Sequence, residues 1–353
     1  MVTGMTRERF SLFLDRAGIG VILLGAALLR TDLDYRTAFV DEAINLFKGW
    51  QMFHGQESYA LTTHMGWPPL SMGPVGLAGW WGDLATARGL TAVFGVVTVL
   101  FVMLTARRLY GQAAGFIAGG VSTVYGPAIF ISTFAHQDGQ SVMLVSIALY
   151  FWVRALAEDR KELYAAGSLF LTLGVLTKYA AVVLAGGAVV YGIVLAVGAV
   201  ARPRPADSGG HVWGRVVRNL LWAGAPFLLL VVYLLVYRDA LSAAWQGQVL
   251  TKSSSDPYVR WLIGKDLVEY LWLPLLLGLV ALFRPGRRVQ GIGLFWLGLT
   301  VLLYQLANND ESTFFKHTCY MMVSWAPLVA GGLCVVGEVL AGSARLRWRP
   351  AVW

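Results

Sequence analysis

The chain has 353 residues, 57% of them hydrophobic and 14% charged, with a net charge of +8. A soluble domain carries about 25% charged residues, so this chain lacks the polar surface to face water and takes the bilayer as its solvent over most of its length. Its basic residues fall between apolar runs, which fits membrane topology and excludes a nucleic-acid-binding face.

In chain order, apolar stretches lie near 11–30, 86–106, 113–133, 140–157, 163–177, 179–200, 219–237, 269–283, 290–306 and 318–340. They approach the roughly 17–25 residues that a spanning helix needs. The first has no small-residue cleavage site behind it and reads as a retained helix rather than a signal peptide. With the N-terminus in the cytoplasm, the cytoplasmic segments are 1–16, 107–112, 154–162, 201–218, 284–289 and the tail from Arg345. They hold 18 of the 28 Lys and Arg residues, and each holds at least two, as the positive-inside bias requires. The expected architecture is an all-α integral protein of the inner (plasma) membrane. It has about ten transmembrane helices, both termini in the cytoplasm, and amphipathic interfacial helices in the first extracytoplasmic loop. One transmembrane domain over 1–353 is expected, with external loops at about 31–85 and 238–268 and no C-terminal soluble domain.

The first external loop is acidic where the rest is basic, with Asp32, Asp34, Asp41, Glu42, Glu57 and Asp83 against Arg36 and Lys48. Two short amphipathic helices are predicted in it, Asp41 to His54 and Leu70 to Trp81. Trp50, Phe53, Trp67, Trp80 and Trp81 suit headgroup depth. Val40-Asp41-Glu42-Ala43 places two carboxylates just past the first span. Charge near a membrane is expensive unless used or solvated. Such an acid can serve as a general base or hold a divalent cation, Mg or Mn, for which Asp41 and Glu42 are the candidates. The bland alternative is a helix start, with Asp41 as N-cap and Glu42 favoured by the macrodipole.

Other candidates sit at span ends on the same side. His64, ahead of Trp67-Pro68-Pro69-Leu70, is a proton shuttle or ligand, or else a hydrogen-bonded loop residue. Arg88 opens the second span, where it binds a phosphate or snorkels to the interface. His136-Gln137-Asp138 lies in a tight turn, with Asp138 either capping a helix or adding a second acid to the first loop. Lys178, between the fifth and sixth spans, and Lys316-His317, before the last, are interface anchors or partners of a lipid phosphate. No phosphate loop, zincin helix or nucleophile elbow occurs.

The ordered set Asp41-Glu42, Trp67-Pro68-Pro69-Leu70, Ala87-Arg88-Gly89-Leu90, Asp138, Leu176-Thr177-Lys178 and Lys316-His317-Thr318-Cys319-Tyr320 resembles GT-C glycosyltransferases of the protein O-mannosyltransferase and aminoarabinose-transferase type. The likeness runs over residues 15–335. It implies inverting transfer of a monosaccharide from a polyprenyl-phosphate donor to a lipid, glycan or protein acceptor outside the cytoplasm. Asp41 would be the base, Glu42 its support, Asp138 a second acid, and Arg88, Lys178 and Lys316 the phosphate holders. Many such enzymes are longer, so an acceptor-recognition domain is missing or a partner protein supplies it. The rival expectation is a transporter or lipid-carrier flippase, which calls for ionisable residues deep in spans or for broken helices.

Overall fold

The computed structural model describes residues 7–33, 39–55, 70–184, 187, 191, 209–246, 257–284, 286–308 and 311–341. Among them every regular element is helical. Helix α1 (Arg7–Leu28) occupies the first apolar run. Helices α2 (Val40–Phe53) and α3 (Gly73–Trp81) follow. Pro74 sits in the first turn of α3, where a missing N–H is harmless. Next comes α4 (Leu84–Tyr110), capped by Asp83, whose Oδ1 accepts the Thr86 N–H at 2.8 Å. The chain continues with α5 (Gln112–Val124), α6 (Gly126–Ser132), α7 (Gln137–Glu158) and α8 (Lys161–Thr177). Then come α9 (Gly209–Gly224), α10 (Phe227–Val236), α11 (Arg238–Trp245), α12 (Pro257–Tyr270), α13 (Trp272–Ala281), α14 (Arg288–Asn308) and α15 (Glu311–Leu340).

Among the described residues four helices are long and apolar enough to cross a membrane: Leu84–Tyr110, Gln137–Glu158, Arg288–Asn308 and Thr313–Leu340. Two bent pairs raise that number to six. The run read as a span at 179–200 lies mostly outside the described residues. Helices α8 and α13 are shorter, at 17 and 10 residues. The bent pairs are α5 with α6, at 64°, and α9 with α10, at 43°. Each break falls at a proline, Pro127 or Pro226. Proline donates no N–H and its ring collides with the carbonyl four residues back, so an apolar run that reads as one span bends there.

Helix α15 is central and packs against α4, α5, α7, α13 and α14. Trp325 on α15 is fully buried and donates its Nε1–H to the Phe295 carbonyl on α14 at 3.1 Å. Interhelical bonds of this kind hold helices together where lipid removes the hydrophobic drive. Helix α4 has 27 residues, so its two ends lie about 40 Å apart at about 1.5 Å per residue. At its C-terminal end Arg107 meets Asp15 of α1 at 2.7 Å, and Arg108 meets Glu158 of α7 at 3.1 Å. At the other end stand α2, α3 and the start of α7, and of these α2 and α7 carry the acids of interest.

Helices α2 and α3 cross at Gly49 and Gly76, and a Cβ on either would run into the Cα of the other. Only glycine allows that approach. Gly76→Val is therefore expected to push α3 off α2 and cost about 1–3 kcal/mol, as overpacking does. Gly73→Ala, on the same helix with nothing within 4 Å of its new methyl, is the neutral control. Thermal unfolding of the two variants in one detergent decides it.

Candidate active site

The helix α2 starts at Val40 with Phe39 as its N-cap residue, so Asp41 is the second helical residue and not the cap. Neighbours on a helix point about 100° apart, which sends Asp41 and Glu42 to different surroundings. Glu42 turns inward and is fully buried. Its Oε1 accepts from Arg88 Nε at 2.7 Å and from the Ala135 N–H at 2.8 Å. Its Oε2 accepts from Arg88 Nη2 at 2.7 Å and from the Phe39 N–H at 3.1 Å. Arg88 also donates through Nη1 to the Leu33 carbonyl at 2.8 Å. Burial alone would raise the Glu42 carboxyl, but the Arg88 hydrogen bonds, the Ala135 and Phe39 N–H groups and the guanidinium charge hold it below its ordinary value.

Asp41 instead faces a cluster of charge, with 45% of its side chain exposed. Lys316 of α15 donates to its Oδ2 at 3.0 Å and also lies 5.6 Å from the Phe134 ring centre. His136, in the turn before α7, places Nε2 3.8 Å from the same oxygen. The other ring nitrogen, Nδ1, is 2.7 Å from Asp138 Oδ2. Asp138 is 1% exposed, and its second oxygen is paired with Lys178, which follows α8. Two Asp–Lys pairs are thus joined through one imidazole. Burial opposes the charged Asp41 carboxylate, yet the Lys316 hydrogen bond and charge, backed by His136 and Lys178, keep its carboxyl below the ordinary value. His136 is shifted down as well: burial disfavours its cation, Asp138 opposes that, and Lys178 and Lys316 add to it.

The structure therefore brings Asp41, Asp138, Lys178 and Lys316 together and adds His136, which the sequence reading noticed only as a neighbour of Asp138. The spacing of His136 two residues before that acid, in a tight turn, is the signal that was available. Glu42 and Arg88 differ from expectation. Each bonds to the other and to backbone, so their geometry is that of a tie between helices, where the resemblance implied a support for Asp41 and a phosphate holder. His317 packs against Gln305 and lies edge-on to Tyr320, in surroundings unlike those of Lys316. His64 lies outside the described residues. A divalent cation does not fit Asp41 and Glu42. All four bonds to Glu42 come from N–H donors, and Asp41 has an ammonium and an imidazole against it. Among the described residues no group of three His, Cys, Asp or Glu side chains converges elsewhere.

Removing one member of a buried ion pair strands the other charge, at a cost of about 3–5 kcal/mol. Arg88→Met should lower stability by about that much. The double replacement Glu42→Gln/Arg88→Met should recover part of the loss, because it strands no charge. A double-mutant cycle on thermal unfolding measures the difference.

Residues 83–217 match the family model described as dolichyl-phosphate-mannose-protein mannosyltransferase. No curated protein matches the chain. The crystal structure of ArnT from Cupriavidus metallidurans, bound to undecaprenyl phosphate, is similar at a TM-score of 0.62 and 19% identity, over 92% of this chain and 62% of that one. The archaeal oligosaccharyltransferase AglB from Archaeoglobus fulgidus, in complex with an inhibitory peptide and a dolichol-phosphate, is similar at 0.62 and 14% identity, over 94% of this chain and 51% of that one. The same enzyme tethered to an acceptor peptide gives 0.60 at 14% identity, over 95% and 51%. The chain spans about six-tenths of ArnT and half of AglB. The resemblance met in the sequence is matched by the family model and by these folds: this chain has the GT-C fold of multi-pass membrane glycosyltransferases.

Proposed function

We propose that the chain transfers a monosaccharide from a polyprenyl-phosphate donor to a lipid, glycan or protein acceptor at the extracytoplasmic face of the membrane. Ten spans with both termini in the cytoplasm belong to this reading and place the Asp41 cluster outside. So does a partner protein for acceptor recognition. The observation that carries the proposal is Asp41 beside Lys316: a half-exposed carboxylate whose counter-ion sits at the end of another helix.

An inverting displacement needs a base on one face of the sugar and charge neutralisation of the departing phosphate on the other. Asp41 removes the proton from the acceptor hydroxyl. The oxygen bonds to the anomeric carbon as the bond from that carbon to the phosphate oxygen breaks. The phosphate keeps the electron pair. Lys316, 20% exposed, is within reach of an incoming phosphate and is shared with Asp41. A donor phosphate competes with Asp41 for that ammonium, which loosens the carboxylate as the donor arrives. Lys178, 18% exposed, holds Asp138 ionised behind it and adds positive charge to the same end of the bundle. The ammonium groups act as point charges here, without the bidentate geometry of arginine.

Two broken helix pairs also suit a transporter. Against that reading, the Asp41, Asp138, Lys178 and Lys316 charges gather at helix ends. Purified chain in nanodiscs, given undecaprenyl-phosphate-linked mannose, glucose or aminoarabinose with candidate acceptors, should release undecaprenyl phosphate from one of them. Asp41→Asn should lower that release by at least about 10²-fold, as loss of a general base does, with an unchanged melting temperature. Lys316→Met should weaken donor use. Full turnover by Asp41→Asn, or uptake of substrate into vesicles with no transfer by the wild-type chain, rejects the proposal.

A further inference from the structure

His136 is 5% exposed and bridges the two carboxylates of the cluster without belonging to either Asp–Lys pair. Its hydrogen-bond roles follow from its neighbours. Nδ1 lies 2.7 Å from Asp138 Oδ2 in a charge contact, and beside a carboxylate paired with Lys178 the tautomer with its proton on Nδ1 is the favoured one. A neutral ring then has a bare Nε2, which faces Asp41 Oδ2 at 3.8 Å. Two acceptors facing each other do not bond. Once Asp41 holds a proton, it becomes a donor to Nε2 and the gap can close. The arrangement is thus poised to form a bond after proton abstraction that it does not form before.

We infer that His136 is a positioning residue for the proposed transfer: anchored by Asp138, it orients the reacting Asp41 carboxyl and receives through it the proton taken from the acceptor hydroxyl. This rests on Asp41 being the base. In the full step the acceptor oxygen gains the sugar and the phosphate leaves with the electron pair. The proton passes from the hydroxyl to Asp41, then to Nε2, and later to solvent. A carboxyl held below its ordinary value is a weak base that gives up its proton readily, and the imidazole supplies a place for that proton to go. The groups around the ring favour its neutral resting form. Lys316 of α15 and Lys178 after α8 repel a cation there, Asp138 of α7 and Asp41 of α2 attract one, and burial tips the balance to neutral. The Glu42–Arg88 pair stands behind, bonded to the backbone of Ala135.

The full chain carries five histidines, few enough for 15N-histidine spectra. The resonance lost in a His136 variant should report a neutral ring protonated at Nδ1, and an Nε2–H tautomer overturns the inference. His136→Asn keeps a donor near the Nδ1 position and removes Nε2. With the undecaprenyl-phosphate sugar that the wild-type chain turns over, its kcat should fall on the order of 10²-fold with KM within about twofold. Wild-type activity should decline as pH falls through the depressed imidazole range, since the neutral ring is the working form. His136→Asn should lack that limb. If His136→Asn does not fold, His136→Gln is read instead, and it too should lose kcat because it cannot take up a proton. Wild-type kcat in a His136 variant beside a dead Asp41→Asn rejects the role of His136 and leaves the base intact. An active Asp41→Asn rejects the base itself.

Discussion

The buried Glu42–Arg88 ion pair sets the geometry on which the site depends. It joins α2 to α4 and, through the Ala135 N–H, to the turn that begins α7. With both side chains all but inaccessible, neither charge can be satisfied anywhere else. Because Asp41 is the residue before it on α2, fixing Glu42 also fixes the direction in which Asp41 leaves the helix. That direction is towards His136 and Lys316. Three hydrogen bonds from neighbouring elements to this one carboxylate hold α2 against rotation about its own axis.

Around this anchor the charges are arranged in balance. Two aspartates and two lysines cancel formally, and a neutral imidazole stands between the pairs. Such a cluster is affordable at a membrane edge, where an unbalanced charge would be expensive. The balance is uneven in exposure, with Asp138 at 1% and Asp41 at 45%. A buried acid clamped by its own lysine orients what is next to it. A half-exposed acid sharing its lysine can meet a substrate. The two carboxylates therefore sit in different surroundings despite identical chemistry.

Much of the helical pattern was legible in the sequence, because apolar runs in a bilayer protein are long and their charged ends are clustered. Helices α4, α7, α14 and α15 fall where those runs predicted. The break between α5 and α6 was less legible. Gly126-Pro127 sits inside a run apolar enough to be one span, and hydropathy carries no information about a bend. At the site, Asp41, Asp138, Lys178 and Lys316 could be named because each is an ionisable residue at a span end. What could not be read was which of them touch. Glu42 and Arg88 are 46 residues apart, and Lys316 and Asp41 275 apart. Adjacent acids in a sequence look alike, and only the helix start at Val40 decides which one turns inward. Arg30 shows the same limit. At the end of an apolar run it is fully buried, donating to Ser132 Oγ at 2.7 Å and to the Ala26 carbonyl at 2.9 Å.

In the proposed transfer, the shared ammonium of Lys316 links donor arrival to the reactivity of Asp41. In the resting cluster this lysine neutralises Asp41, which lowers the carboxylate's appetite for a proton. An anionic phosphate is a stronger competitor for an ammonium than a carboxylate that already has a second cationic neighbour in Lys178. As the lysine swings to the phosphate, Asp41 loses its closest positive charge and becomes more basic when a proton has to be taken. The same ammonium then faces the oxygen on which negative charge grows. One residue at the start of α15 thus favours the leaving group and strengthens the base together, and it does so only when donor is present. On the proposed reading, an acid already neutralised at rest is then able to react.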